Sequence, residues 1–200
     1  MDILIDCDDV LADLTLAVRG IIRDIKPELF EGFEGSDPLW DGRNWDYFSY
    51  SRIKEISDKI WERMGESGFW SSLEETETAR ELLNIARGFG RIVICTSLVA
   101  SDNYVFERMR WLGEHFGIGR HEIVITAEKY LCLGGDVLID DRPENVIHWS
   151  YRKLLNGMTQ LPILWTYSGR GRYDYVDRFS DGVILQTGDL GDLEEALGNL

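Results

Sequence analysis

Two short apolar runs, far apart in the chain, each end in clustered acids, and this constrains the fold more than any other feature. Ile3-Leu4-Ile5 leads into Asp6-Cys7-Asp8, and Val137-Leu138-Ile139 leads into Asp140-Asp141. Short unbroken apolar runs read as strands buried on both faces, as in parallel sheets. Carboxylates gathered at strand ends repel one another, so one must keep a proton or the group must hold a cation. A hard divalent ion with oxygen ligands, Mg2+ first among them, resolves the conflict. The carboxyl edge of an open α/β sheet is also where such folds place ligands.

The rest of the chain fits that sheet. Apolar residues at helical spacing predict helices over 12–25, 52–64, 78–87, 103–116, 143–155 and 189–197. Further strands are predicted over 91–95, 122–126, 136–139 and 161–165, alternating with helices from Arg91 onward. That alternation argues for an α/β fold with a doubly wound parallel sheet. Residues 14–73 break the pattern with Gly, Asp and aromatics, and read as a small helical cap inserted after the first strand. Residues 1–13 and 74–200 then form the α/β core.

Charge narrows the function. With 36 acidic against 21 basic residues the net charge is -15, which repels a nucleic-acid polymer but not a small phosphorylated substrate beside a bound cation. No stretch is long and apolar enough for a membrane helix, and no basic region precedes the first apolar run, so neither a membrane anchor nor a secretory signal is expected. Cys7, Cys95 and Cys132 are odd in number and lack metal-type spacing, which favours reduced thiols and a cytoplasmic location. Carboxylates beside Cys7 argue against a reactive thiol there. His115, His121 and His148 show no ligand spacing and read as surface or core residues. The sequence leaves oligomeric state open, a homodimer included.

Four features fall at predicted strand ends: Asp6-Cys7-Asp8, Thr96-Ser97, Lys129 and Asp140-Asp141. In a parallel sheet all four meet at one edge. Asp6 can attack phosphorus and form an aspartyl-phosphate. Asp8, two residues on, can protonate the leaving oxygen and then activate water. Lys129, the Thr96 hydroxyl and backbone amides around Ser97 can neutralise the phosphoryl oxygens. Asp6, Asp8 through its carbonyl, and Asp140 or Asp141 can hold the metal. Asp140-Asp141 could also N-cap the helix that begins near Pro143. The aromatics of residues 14–73 serve either as the core of a small insertion or as faces for a base, and Arg43, Trp45 and Trp70 are the candidate substrate contacts there.

These motifs carry a resemblance. Asp6-Cys7-Asp8-Asp9-Val10-Leu11-Ala12-Asp13 resembles the first motif of the haloacid dehalogenase superfamily of phosphatases. Val93-Ile94-Cys95-Thr96-Ser97, Lys129 and Leu138-Ile139-Asp140-Asp141-Arg142-Pro143 resemble its second, third and fourth. The closest similarity is to the 5'(3')-deoxyribonucleotidases, whose cap is also resembled by Ile60-Trp61-Glu62 through Gly68-Phe69-Trp70. The resemblance implies a Rossmann-like core, a helical cap, Mg2+ and hydrolysis of nucleoside monophosphates, with Asp6 as nucleophile and Asp8 as acid/base. It departs at Asp9, where that family carries Gly. It departs also at Leu14, Leu98 and Ala100, where that family carries Phe, Pro and Lys. The last three bear on specificity, leaving a phosphatase of sugar phosphates or other small metabolites as the alternative. A non-catalytic phosphate- or nucleotide-binding protein is a further one. A receiver-like signalling module would carry its acid pair at the first strand, whereas here the pair comes last.

Overall fold

The computed structural model describes residues 1–30, 51–158, 160–166, 173, 176 and 183–200, with the backbone alone at 51 and 52. The first strand, β1 (Asp2–Ile5), lies inside a six-stranded parallel sheet with β2 (Arg91–Thr96), β3 (Ile123–Ile125), β4 (Val137–Asp140), β5 (Leu161–Trp165) and β6 (Leu185–Thr187). The order is β3-β2-β1-β4-β5-β6. The chain therefore runs outward from β1 to β3, then returns to the other side of β1 to continue through β4. The strand order reverses at β1, and such a switch point opens a crevice at the carboxyl ends.

Register decides what enters that crevice. Ile5 pairs with Ile94 on one side and Ile139 on the other. One residue further along, Asp6, Cys95 and Asp140 stand abreast, and the Asp6 amide donates to the Ile139 carbonyl at 2.9 Å. Two acid motifs distant in sequence thus become neighbours.

Helices cover both faces, as a doubly wound sheet requires. Odd-numbered residues of β1 and β4 (Ile3, Ile5, Val137, Ile139) pack in one core with α1 (Leu14–Ile25), α4 (Ala79–Phe89), α5 (Tyr104–Phe116) and α7 (Leu190–Gly198). Even-numbered Leu4 and Leu138 face the other way, against Trp149 of α6 (Pro143–Leu155). Burying this two-sided apolar surface, at roughly 25 cal/mol per Å² removed from water, is the main term holding the sheet. Cys7, Cys95 and Cys132 are free thiols.

The predicted helix over 52–64 is divided into α2 (Ser51–Lys54) and α3 (Ser57–Met64), because Ile56 leaves helical geometry at φ -115° and ψ 5°. Strand β6 was not anticipated; at three residues it is too short to show a periodicity.

The chain leaves and re-enters the sheet layer through one doorway. The Asp13 amide donates to the Glu74 carbonyl and the Thr76 amide to the Leu11 carbonyl, both at 2.8 Å. The buried Thr76 hydroxyl donates to the Val10 carbonyl at 2.8 Å. Between these points α1 begins under an N-cap from Asp13, whose side chain accepts from the Leu16 amide at 2.7 Å, and α1 packs on α3.

Candidate active site

At the end of β1 the Asp6 carboxylate accepts from the Cys7 amide at 2.7 Å and lies 2.6 Å from the Lys129 ammonium. Lys129 comes from a 3-10 turn that follows β3, and it reaches back under the edge to lie 2.7 Å from Asp140 as well. All three side chains are almost wholly withdrawn from water. Asp140 also accepts from the Arg142 amide at 2.9 Å and from the Asn145 side chain at 3.1 and 3.2 Å. The capping expectation for the acid pair fails: Arg142 is the N-cap of α6, with Pro143 in the first turn and no side-chain cap bond. The acids are held in place by the helix start rather than holding it.

Asp6, Asp140 and Asp141 each present a carboxylate oxygen within 4.8 Å of the others, and all three are buried. At such a separation and an effective dielectric near 20, each like pair repels by roughly 3 kcal/mol. Lys129 offsets one charge, so two negative charges stay uncompensated among these four side chains when all are ionised. Burial pushes the Asp6 carboxyl up to about 7, against the pull of Lys129 and with help from the charges of Asp140 and Asp8. A compact set of hard oxygen donors with a surplus of two charges fits a divalent cation such as Mg2+, held by Asp6, Asp140 and Asp141. Side-chain oxygens of Asp8 are not in that set.

Asp8 instead forms an ion pair with Arg108 of α5, whose side chain is fully buried. Its Oδ1 takes the guanidinium, and its Oδ2 has no hydrogen-bond partner among the described residues. Asp6 and Asp8 both line a cavity of about 660 Å³. Its wall also includes Ser97, Asp141, Arg142 and Asn145 on the sheet side, and Trp61, Met64 and Trp70 on the side of α3. Of the phosphate candidates, Ser97 lines the cavity, while Thr96 is buried with its hydroxyl 2.9 Å from that of Tyr104. Lys129 lies beneath Asp6. Trp70 borders the cavity but is fully buried, edge-on to Phe69 and Tyr104. Arg43 and Trp45 lie outside the described residues.

The model of the family described as "5' nucleotidase, deoxy (Pyrimidine), cytosolic type C protein" matches residues 1–168. The chain belongs to this family. Among curated relatives it is 29% identical over 152 residues to the mitochondrial 5'(3')-deoxyribonucleotidase of Mus musculus, over 71% of this chain and 64% of that protein. It is 30% identical over 148 residues to the cytosolic type of Homo sapiens, over 70% of each. The chain thus spans somewhat under two thirds of the mouse relative's length. A HAD family hydrolase from Deinococcus radiodurans R1, solved with phosphate and sodium, shares the fold with TM-score 0.56 at 16% identity, over 99% of this chain and 95% of that one.

Arg108, Tyr104 and Asn145, which contact Asp8, Thr96 and Asp140, are residues around the site that sequence reasoning missed. For Arg108 a signal was present. The buried positions of α5 are Tyr104, Glu107, Arg108, Trp111, Leu112 and Phe116, a helical stripe that carries two charged residues. Charges on a core-facing stripe need partners, and the partners bear on the site.

Proposed function

We propose that this chain is a Mg2+-dependent phosphomonoesterase acting on small phosphorylated molecules, deoxyribonucleoside and ribonucleoside monophosphates first. The observation that carries the reading is the convergence of Asp6, Asp8, Lys129, Asp140 and Asp141 at one switch-point crevice open to a cavity of about 660 Å³. A volume of this size accommodates a small-molecule ligand. The names of the curated relatives and the phosphate in the Deinococcus hydrolase support the same chemistry.

Asp6 attacks phosphorus and displaces the alcohol, giving an aspartyl-phosphate. Asp8 gives its proton to the leaving oxygen, then takes one from the water that hydrolyses the acyl phosphate. A divalent ion held by Asp6, Asp140 and Asp141 would supply positive charge to offset the repulsion of carboxylate and phosphate. Lys129 holds Asp6 and Asp140 in place, and Ser97 with its neighbouring backbone faces the phosphoryl group. Thr96, one residue earlier, fixes that turn through Tyr104. We assign residues 14–73 as the cap, of which the described α3 sets Trp61 and Met64 in the cavity wall. The chain works in the cytoplasm with its thiols reduced. Leu14, Leu98 and Ala100, three of the four departures from the deoxyribonucleotidases, line the cavity, so they act on which phosphorylated molecule fits.

A turnover screen across nucleoside monophosphates and sugar phosphates, with and without Mg2+, tests the reading. We expect phosphate release that needs Mg2+, favours nucleotides and falls by at least ~10²-fold in a folded Asp6→Asn variant. Full activity in that variant would end the proposed mechanism, and preference for sugar phosphates would move the substrate class.

A further inference from the structure

We infer that Arg108 is a positioning residue for proton transfer: it occupies one oxygen of Asp8 so that the other alone faces the reacting group. The inference rests on the phosphomonoesterase reading above, and it adds a residue that the strand-end motifs do not contain.

The cost of this arginine is the first argument. Its side chain is 0% exposed, and its Nε and Nη1 find no hydrogen-bond partner among the described residues. Withdrawing a guanidinium from water costs several kcal/mol unless it is paired. Its carboxylate partner is Asp8, through Nη2. Three aromatic rings surround the cation, with Trp70 at 5.5 Å and Tyr104 and Trp111 each at 5.6 Å from the guanidinium carbon. Such contacts return a part of that cost and fix the orientation of the planar group. An apolar residue on this buried stripe would fill the space without burying a charge. The arrangement makes sense as a means of holding Asp8.

The second argument is what holding Asp8 does. A carboxyl group can carry its proton on either oxygen. Arg108 is a permanent donor at Oδ1, so a proton on Asp8 resides on Oδ2. Asp8 is partly exposed to the cavity, and Oδ2 has no hydrogen-bond partner among the described residues. The proton passes from Oδ2 to the leaving alkoxide as the oxygen–phosphorus bond breaks. The same oxygen then accepts a proton from the attacking water.

The third argument is mechanical. Glu107, the residue before Arg108, is also buried, and its carboxylate accepts from the Gly68 amide at 2.6 Å and the Trp70 amide at 3.0 Å. Trp70 is one of the rings around the guanidinium. Adjacent residues of α5 therefore grip the segment returning from 14–73 and the acid/base group together.

Leaving-group chemistry distinguishes positioning from mere support of the fold. The 5' oxygen of a pyrimidine deoxyribonucleoside monophosphate leaves as an alkoxide and needs a proton. The phenolate of 4-nitrophenyl phosphate leaves without one. We expect Arg108→Met to lower kcat on the nucleotide at least ~10-fold more than on 4-nitrophenyl phosphate, within the ~10²–10⁴-fold that general acid catalysis supplies. KM should change less than kcat. Arg108→Lys should fall between the wild type and Arg108→Met. In an Asp8→Asn background, Arg108→Met should no longer change the ratio of the two rates. Equal loss on both substrates in a folded Arg108→Met variant overturns the inference. If that variant does not fold, the ratio is read in Arg108→Lys, where an unchanged ratio overturns it. A wild-type chain that releases phosphate from neither substrate overturns the proposed function, and this inference with it. A wild type active on both, with parallel losses in the variants, overturns the role of Arg108 alone.

Discussion

Asp9 follows the two acids of the first motif in a left-handed backbone conformation, with φ 57°. Left-handed geometry costs most side chains roughly 1–2 kcal/mol, and Asp, Asn and Gly tolerate it best. The resembled family carries Gly here, and the backbone explains why both residues serve. Aspartate adds bonds that glycine cannot: its carboxylate accepts from the Thr15 amide at 2.7 Å and the Thr15 hydroxyl at 2.6 Å. These tie the start of α1 to the loop after β1. Hydrogen bonds to a charged group are worth roughly 1.5–3 kcal/mol each at best. Asp9→Ala should lower unfolding free energy in urea by about 2–4 kcal/mol, and Asp9→Gly by about 1 kcal/mol less, because only alanine is strained at this φ. Equal losses would show that backbone conformation is not what the position selects. Asp9 was legible as a departure from a motif. Its bonds to Thr15 were not, because they depend on a turn whose shape the sequence does not print.

Glu75 stands at the doorway where the chain returns from 14–73, bridged to Ala12, and it joins two helices there. It pairs with Arg80 in the first turns of α4 and accepts or shares a proton with His115 of α5 at 2.7 Å. Burial pushes its carboxyl up, but the hydrogen bonds from His115 and Arg80 outweigh this and hold it below the ordinary value of 4.5. A carboxyl bound more weakly by protons when folded stabilises the fold above its unfolded value and loses that contribution as pH falls through its lower, folded value. The contribution of Glu75 is therefore full above about pH 5, and it fades below 4.5. Urea denaturation of Glu75→Gln beside the wild type should show a gap near neutral pH that closes toward pH 3, while a constant gap would assign the effect to packing. Most helices and strands here were legible from apolar pattern, α6 and β5 to the residue. The joint between α2 and α3 was not, since Ile53, Ile56 and Ile60 keep a helical period across a backbone that turns.

For the whole molecule, the metal site proposed at the buried cluster of Asp6, Asp140 and Asp141 would tie ion binding to stability. An ion that binds the folded chain alone stabilises it by mass action, by about 2.7 kcal/mol at a concentration 100 times its Kd. Mg2+ should raise the melting temperature of the wild type, and Asp140→Asn or Asp141→Asn should shrink that shift. A Mg2+-independent melting temperature in the wild type would count against the metal site. The parallel sheet, the two acid motifs and their place at strand ends were determined by the sequence itself, since buried runs that end in acids leave few other folds. The partners of these acids were a tertiary matter. Lys129 became the counter-ion beneath Asp6 because the register of β3 and its following turn swung it there. Arg108 met Asp8 because α5 crosses the site with its charged stripe inward. Both contacts join residues a hundred or more positions apart. Local pattern carries strands and helices, because it reports which face is buried. It does not carry such contacts, because their geometry is set by how whole elements pack.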